Sequence, residues 1–414
     1  MIPYYSLIIL SYNNWAFTKQ CLISILESLE EAQIHQGIEL VVVDNGSNRE
    51  TVKQLNAFNK KYKNHPVQLE LVLLNENLGY PTGINIGIGH CRGTIIAVLN
   101  NDLLFPPNWL APLVQALEAD PKLGFAAPFL SYGGGSVQHV GKTFETIEEM
   151  EAFASYFTDL NKAHVIYADK LVGACLVFRR DLLVAIGGND FWYGIGNFDD
   201  VDWCLRARLA GYTIAVVGGS FVHHIGHASF AQVPDQFTSS LQNNHTKFER
   251  KWRVREHQTA QQNDQNFIKF EHSKHYIPTQ ISEFISTDNI WFPKSALTKS
   301  LLMCADWSHP ESQWPVVLAA LLSEPNYDYA VIYCWIPSAL YEVADIEAQF
   351  IRLIAAAASE PPSSTKAIKI ISDEVPYSAV LSLIQSADEI VKVPQDFVNR
   401  YIVYLAEQIG VRII

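Results

Sequence analysis

The chain has 414 residues, of which 49% are hydrophobic and 18% charged, and its formal net charge is −13. That length predicts two domains, and that composition belongs to a globular chain with a real core rather than a disordered one. The acidic balance argues against a sequence-independent nucleic-acid binder, and it means that an anionic ligand must be held by a bound cation or a local cluster of donors.

In chain order, residues 5–10 (SLIILS and its flank) read as a buried strand, followed by a polar turn at Tyr12, Asn13 and Asn14. A helical pattern runs through Cys21, Leu22, Ile25, Leu26 and Leu29. Residues 38–43 form a second strand ending at Asp44-Asn45-Gly46-Ser47, and a helix with Val52 and Leu55 follows. Residues 68–74 are a third strand, then come a Gly-rich stretch and a helix near 81–91. Residues 94–99 are a fourth strand, ending in Asn100-Asn101-Asp102. Apolar strands alternating with helices predict βαβ units and a mainly parallel sheet covered on both faces. In open α/β sheets ligands bind at the carboxyl ends of the strands, so Asn13, Asp44, Gly79 and Asp102 should meet around one crevice.

Residues 171–178 read as a strand, 181–186 as a helix, and 187–198 as a Gly- and aromatic-rich loop. In FDDVDWCLRARLAGY, Val201, Leu205 and Leu209 recur at helical spacing and Gly211 is a C-cap. Residues 213–217 are a strand leading to FVHHIGHASF. A polar stretch, 231–295, holds a helix near 239–252. A second βα series follows: SLLMCA, YAVIYCWI, AIKIIS, EIVKV and VRII as strands, with helices near 311–323, 344–359, 376–386 and 395–409. It predicts a flavodoxin-like or half-Rossmann unit without G-x-G-x-x-G or P-loop. The organisation expected is 1–240, a linker 241–295, and an α/β domain 296–414.

Three groups of residues could carry chemistry. Asp102, at the tip of a buried strand, suits Mg²⁺ or Mn²⁺, which combine one or two carboxylates with substrate phosphates; the plainer reading is a strand-ending turn. Asp199, Asp200 and Asp202 open a helix. Helix capping accounts for one or two of them, and crowded carboxylates have raised pKa values suited to accepting a proton. His223 and His224, with His227 close behind, are candidates for a metal or diphosphate contact.

The segments SLIILSYNN, VVVDNGSNRET, NENLGYPTGINIGI, GTIIAVLNND, LVGACLVFRRDLL, FDDVDWCLRARLAGY and FVHHIG, in this order, resemble family 2 glycosyltransferases of the GT-A fold, the inverting family with rhamnosyl- and galactofuranosyltransferase-like members. The resemblance covers about residues 4–230. It implies that Ser11, Tyr12 and Asn13 meet the nucleotide and that Asp44, with Asn45, bonds the base. Gly79 and Asn85 lie against the nucleoside and diphosphate, with Asn101 counted among the nucleotide-binding residues. Asp102 matches the last carboxylate of a D-x-D metal motif that begins here with Asn100. His224 completes the metal site, with His223 as the runner-up. Gly173 and Ala174 lie near the sugar and acceptor, where Trp203 and His223 are also placed. Asp199-Asp200 match the E-D pair whose second member is the base, which points to Asp200. Asn100 in place of Asp implies weaker metal affinity.

These readings together predict a metal-dependent (Mn²⁺ or Mg²⁺), inverting transfer of a sugar from a UDP- or dTDP-sugar to a hydroxyl of a glycan, lipid-linked or protein-linked acceptor. The alternative is a non-catalytic sugar-nucleotide binder that retains the fold. An NAD-linked oxidoreductase lacks its glycine fingerprint here. The N-terminus has no basic stretch before a short apolar run, no segment approaches the roughly 18 apolar residues of a membrane span, and the six cysteines form no C-x-x-C. A cytoplasmic protein with buried free thiols is expected, with peripheral membrane contact left open. The C-terminal unit reads as a module for folding, oligomerisation or partner docking, or as a degenerate second half of the GT-B kind. Asp306 and His309 sit after its first strand without an evident partner, and Trp307 and Trp314 read as packing residues.

Overall fold

The computed structural model describes residues 2–133, 137–226, 234–254, 270–283, 291–292, 298–327, 330–357, 367–372 and 375–414. The chain divides into two compact units: Met1–Asp190 with Asp199–Phe237, and Phe191–Phe198 with Thr238–Ile414. Of the stretch read as a linker, 255–269, 284–290 and 293–295 lie outside the described residues.

In the first unit the apolar runs become strands β1 (Tyr5–Ser11), β2 (Ile38–Asp44), β3 (Gln68–Leu73) and β4 (Ile95–Asn100). They are separated by helices α1 (Trp15–Ser28), α2 (Glu31–Gln36), α3 (Arg49–Lys61) and α4 (Tyr80–His90). β1 and β2 are buried along their whole length, as strands covered on both faces must be. Next come β5 (Leu103–Leu104), α5 (Ala111–Ala119), β6 (Leu123–Leu130), α6 (Ile147–Asn161), β7 (Val165–Tyr167), β8 (Cys175–Arg179), α7 (Arg180–Ile186), α8 (Asp199–Leu209) and β9 (Thr213–His224). The described strands order β3-β2-β1-β4-β8-β6-β9-β5, with β7 on β9. The pairs β1–β2, β2–β3, β1–β4 and β6–β9 are parallel, while β8 runs antiparallel between β4 and β6. α4 packs close to the sheet because it has glycines at the contact. A Cβ at Gly83 would lie 2.5 Å from Leu10, and one at Gly87 2.6 Å from Ile8.

Two strand boundaries differ from the sequence reading. The strand expected at 171–178 starts only at Cys175, because Asp200 binds the Gly173 amide and removes it from the ladder. The strand expected at 213–217 runs on to His224 through Gly218-Gly219. Those glycines are not a break. A Cβ at Gly218 would lie 2.1 Å from the Asn161 carbonyl oxygen, so only glycine lets the strand pass. His223 and His224 therefore lie on the strand rather than in a loop after it.

In the second unit, β10 (Lys299–Cys304), β11 (Ala330–Trp335), β12 (Ala367–Ile371), β13 (Glu389–Ile390) and β14 (Arg412–Ile413) form an all-parallel sheet in the order β12-β11-β10-β13-β14. This is the Rossmann order rather than the flavodoxin order. Helices α9 (Pro234–Trp252), α10 (Trp314–Ser323), α11 (Val343–Ala357), α12 (Val380–Ser386) and α13 (Phe397–Ile409) complete it. Its core takes in Phe191 and Trp192 from the inserted segment.

Candidate active site

β1 lies between β2 and β4, with Ser11 beside Asp44 and Leu10 beside Asn100 in register, so the loops leaving all three strands open at one edge of the sheet. Polar side chains knit those loops together. Asn13, in the left-handed region (φ 52°), donates its amide to Ser47 Oγ (2.7 Å) and accepts at Oδ1 from the Asn48 amide (2.9 Å). Ser11 Oγ pairs with Thr18 Oγ1 at 3.1 Å, and Asn101 Nδ2 donates to the same Thr18 oxygen at 2.9 Å. Asn45 donates to the Gly79 carbonyl (3.1 Å) and accepts from the Leu78 amide (2.9 Å), fixing the Gly79 turn (φ 83°) in front of α4. Asn85 is engaged at both ends by the backbone of Asn189, at 2.7 Å each. The side chains of Ser11, Asn45, Asn85 and Asn101 are thus spent inside the protein. They knit together the loops that build the crevice.

Two residues at this edge have capacity left. Tyr12 is 39% exposed. Asp44 Oδ2 accepts from the Ser47 amide (3.1 Å), while its Oδ1 has no hydrogen-bond partner among the described residues. Burial raises the Asp44 carboxyl above the ordinary range against the pull of Ser47. A ligand that uses Oδ1 has to open the cover above this buried side chain.

Asp102 and His224 come together through β5. Leu103 pairs with His224, and the Ile225 amide donates to the Asp102 carbonyl (3.1 Å). His224 Nε2 lies 3.4 Å from Asp102 Oδ1, and its Nδ1 lies 3.0 Å from the Tyr132 carbonyl oxygen. Nδ1 faces a backbone carbonyl and Nε2 faces a carboxylate, so both ring nitrogens meet acceptors, which favours the protonated imidazole. Burial disfavours the charged imidazole, but the Asp102 carboxylate and the Tyr132 carbonyl outweigh it and the pKa rises. Asn100 Oδ1 is buried without a partner among the described residues. Among those residues no cluster of three or more His, Cys, Asp or Glu is fit to hold a metal ion. Side chains alternate along a strand, so His223 faces away from Asp102. It pairs with Ser131 Oγ (2.6 Å), packs edge-on to Phe144, and is kept neutral by burial and by His224. His227 lies outside the described residues.

The three carboxylates of α8 separate. Asp202 and Arg206, both fully buried, form an ion pair at 2.8 Å, and Arg206 also donates to the carbonyls of Ile186 and Gly188 at 2.7 Å each. That pair is structural. Asp200 accepts from the Gly173 amide at Oδ2 (2.9 Å) and from the Val201 amide at Oδ1 (2.8 Å). Burial raises its pKa, and those amides offset only part of the rise. A Cβ at Gly173 would lie 2.9 Å from Asp200 Cβ, so glycine is required there. Ala174 is buried, and its carbonyl accepts from the Asn100 amide (2.8 Å). Trp203 is 1% exposed, donates to the Gly187 carbonyl (3.0 Å) and packs on Phe125 and Phe178. It packs as a core residue.

Tyr80, at the first helical position after Gly79, escapes the sequence reading. Its hydroxyl donates to the Gly173 carbonyl (3.3 Å). Burial first, then the charges of Asp199, Asp200 and Asp102, hold this phenol well above its ordinary pKa. Three carboxylates from two loops therefore act on one hydroxyl. The only sequence signal was an aromatic residue directly behind the strained glycine of NENLGYP.

In the second unit Asp306 has the partner that spacing could not reveal. Lys247 Nζ from α9 lies 2.6 Å away and overrides burial to keep the Asp306 carboxyl below its ordinary range. Asp396 nearby is pushed up to about 6 by burial and by Asp306. A cleft of about 570 Å³ opens beside them, lined by Arg250, His309, Tyr341 and Glu342 among others. Trp307 and Trp314 are 2% exposed, with both indole N–H groups bonded to carbonyls, so they are packing residues. All six cysteines are free and buried. No helix of the described residues is long and apolar enough to cross a membrane.

A mainly parallel sheet whose strand ends carry an Asp at β2, an Asn-Asn-Asp after β4 and an Asp-Asp at a helix start is the arrangement that the sequence's resemblance to GT-A glycosyltransferases implies. The model of Glycosyl transferase family 2 matches residues 6–187. Among relatives, the uncharacterized protein y4gI of Sinorhizobium fredii is 28% identical over 214 residues, 49% of this chain and 23% of that one. Glycosyltransferase AglE of Haloferax volcanii is 26% identical over 226 residues, 54% of this chain and 66% of that one. The chain thus spans less than two thirds of the length of these curated relatives. A crystal structure of GalNAc-T7 with UDP, GalNAc and Mn²⁺ is similar over 60% of this chain and 48% of that one, at 17% identity and a TM-score of 0.46.

Proposed function

We propose that the first unit is an inverting, metal-dependent glycosyltransferase that moves a sugar from a UDP- or dTDP-sugar to a hydroxyl of a glycan or of a lipid- or protein-linked glycan acceptor. The observation that carries this reading is the Asp102–His224 pair at 3.4 Å together with the buried Asp200 carboxylate on the Gly173 amide at 2.9 Å, where the Tyr80 hydroxyl meets the Gly173 carbonyl at 3.3 Å. A cation-type donor pair and a buried carboxylate of raised basicity are what such a transfer needs.

Asp102 and His224, with the partnerless Asn100 Oδ1, are the residues that would hold Mn²⁺ or Mg²⁺, with the substrate diphosphate completing the donor set. When held there, such an ion would supply positive charge against the charge that builds on the leaving diphosphate. Asp200 accepts the proton of the acceptor hydroxyl as its oxygen bonds to the anomeric carbon. The bond from that carbon to the diphosphate oxygen breaks on the opposite face, so the anomeric centre inverts without a covalent intermediate. Tyr80, kept protonated by burial and then by the nearby carboxylates, holds the Gly173 peptide that in turn fixes Asp200. The buried free thiols fit a reducing, cytoplasmic setting.

The testing experiment is turnover of UDP- and dTDP-sugars with and without Mn²⁺, paired with a thermal-shift screen of UDP and dTDP. Turnover that appears with Mn²⁺ and disappears with EDTA, and that Asp102→Ala no longer tunes with metal, supports the reading. Nucleotide binding with no turnover in any arm leaves the binder of Asn100-weakened metal affinity instead. Asp44→Ala should raise the dissociation constant of UDP or dTDP by about tenfold, the value of a lost hydrogen bond to a charged group, with a smaller drop in kcat at saturation. Titration calorimetry reads the first and saturating-donor kinetics the second.

A further inference from the structure

The second unit carries a cleft of its own, and every residue that lines it belongs to that unit. Its walls are the loop 307–312 that leaves β10, the turn 340–342 that follows β11, and residues of α9 and α11. Open α/β sheets bind their ligands at the carboxyl ends of the strands, which is where this cleft opens. Its volume of about 570 Å³ falls within the range of about 300–1,000 Å³ usual for small-molecule sites.

The lining chemistry selects against an anion. Lys247 is 1% exposed, and its ammonium donates to Asp306 Oδ2 (2.6 Å) and to the Trp192 carbonyl (2.7 Å). Arg250 is paired with Glu342 at 2.5 Å. Asp345, exposed in the first turn of α11, puts a negative charge at the helix end that would otherwise attract a phosphate. What remains is a set of hydrogen-bonding groups whose charges are already balanced or absent. The Glu311 amide donates to His309 Nδ1 (3.2 Å), which leaves the proton of a neutral ring on Nε2 as a donor. Burial holds that ring below the ordinary histidine range. Gln349 offers amide donors and an acceptor, and Arg250 has five N–H groups of which Glu342 takes one. Pro310, Pro315 and Ile346 add apolar wall. Planar amide, guanidinium and carboxylate groups beside apolar walls match the hydroxyls and C–H faces of a sugar ring, which brings no charge to be neutralised.

We propose that this cleft is a saccharide-binding site of the C-terminal unit, which takes an uncharged glycan through Arg250, Asp345 and Gln349. The choice of a glycan among uncharged polyhydroxylated ligands rests on reading the first unit as a glycosyltransferase with a glycan acceptor. The full chain is probed on an array of neutral, phosphorylated and amino-substituted glycans, and the neutral oligosaccharide retained most strongly is titrated by calorimetry. Arg250→Ala weakens its binding by about tenfold and Gln349→Ala by about fivefold, the effects of losing hydrogen bonds from a charged and from a neutral group. Arg250 and Gln349 are both partly exposed, so neither substitution empties a buried space. An array that retains no neutral glycan overturns the proposal. So does retention of phosphorylated or amino-substituted glycans alone, or a titration that neither substitution changes. Turnover of UDP- and dTDP-sugars is measured on the same preparations. If turnover is missing while the titration responds to both substitutions, the transferase reading falls and the saccharide site stands. If turnover is present and the array is blank, only the saccharide site falls.

Discussion

Asp200→Asn lowers kcat for sugar transfer by about 10²–10⁴-fold, the contribution of a positioned general base. The substitution is nearly isosteric, and the new Oδ1 can still accept one of the two amides, from Gly173 or Val201, that hold the native carboxylate. The fold therefore loses about one hydrogen bond, on the order of 1 kcal/mol. Affinity for UDP or dTDP stays close to wild type, because Tyr12 and Asp44 leave from β1 and β2 and share no partner with Asp200. The wild-type rate should also fall on acidification through a pKa above the ordinary aspartate value of about 3.9, since burial raises this carboxyl and the base works only when deprotonated. Saturating-donor kinetics across pH and a nucleotide titration check the three statements together. If the nucleotide titration collapses along with turnover, Asp200 holds the fold of the site instead of accepting a proton.

Arg206→Ala destabilises the first unit by about 3–5 kcal/mol, the cost of breaking a fully buried ion pair. Asp202 would keep a charge in a site with no access to water, and the carbonyls of Ile186 and Gly188 would lose the guanidinium that satisfies them. Asp202→Leu combined with Arg206→Met removes both charges and fills the space, so the double variant should recover much of the loss. Urea denaturation midpoints of the wild type and both variants measure it. A midpoint for Arg206→Ala within error of wild type would show that the pair contributes nothing net.

The DDVD run shows how far reading along the chain could go. Three carboxylates at a helix start were visible together with the case for one of them as a base. Which one pairs with Arg206, four residues on, depends on which face of α8 turns into the core. The His pair is similar. Spacing pointed to His224, and the strand's alternation, hidden by Gly218-Gly219, is what turns His223 away to Ser131. Tyr80 was invisible because its meaning lies in Gly173, 93 residues later.

Periodicity and turn chemistry alone determined the alternating α/β architecture, the parallel strands β1–β4, the second α/β series and the crevice at the strand ends. Those features follow from local rules, apolar runs of strand length and polar residues where strands stop, which each segment carries in itself. Tertiary structure decided which polar side chains were used up. Asn45, Asn85 and Asn101 each meet partners brought from distant segments. Asp306 looked alone until α9 brought Lys247 to it. It also decided that residues 191–198 pack with the second unit. A buried polar group takes whatever partner the fold places within about 3 Å, and that neighbour is a long-range fact.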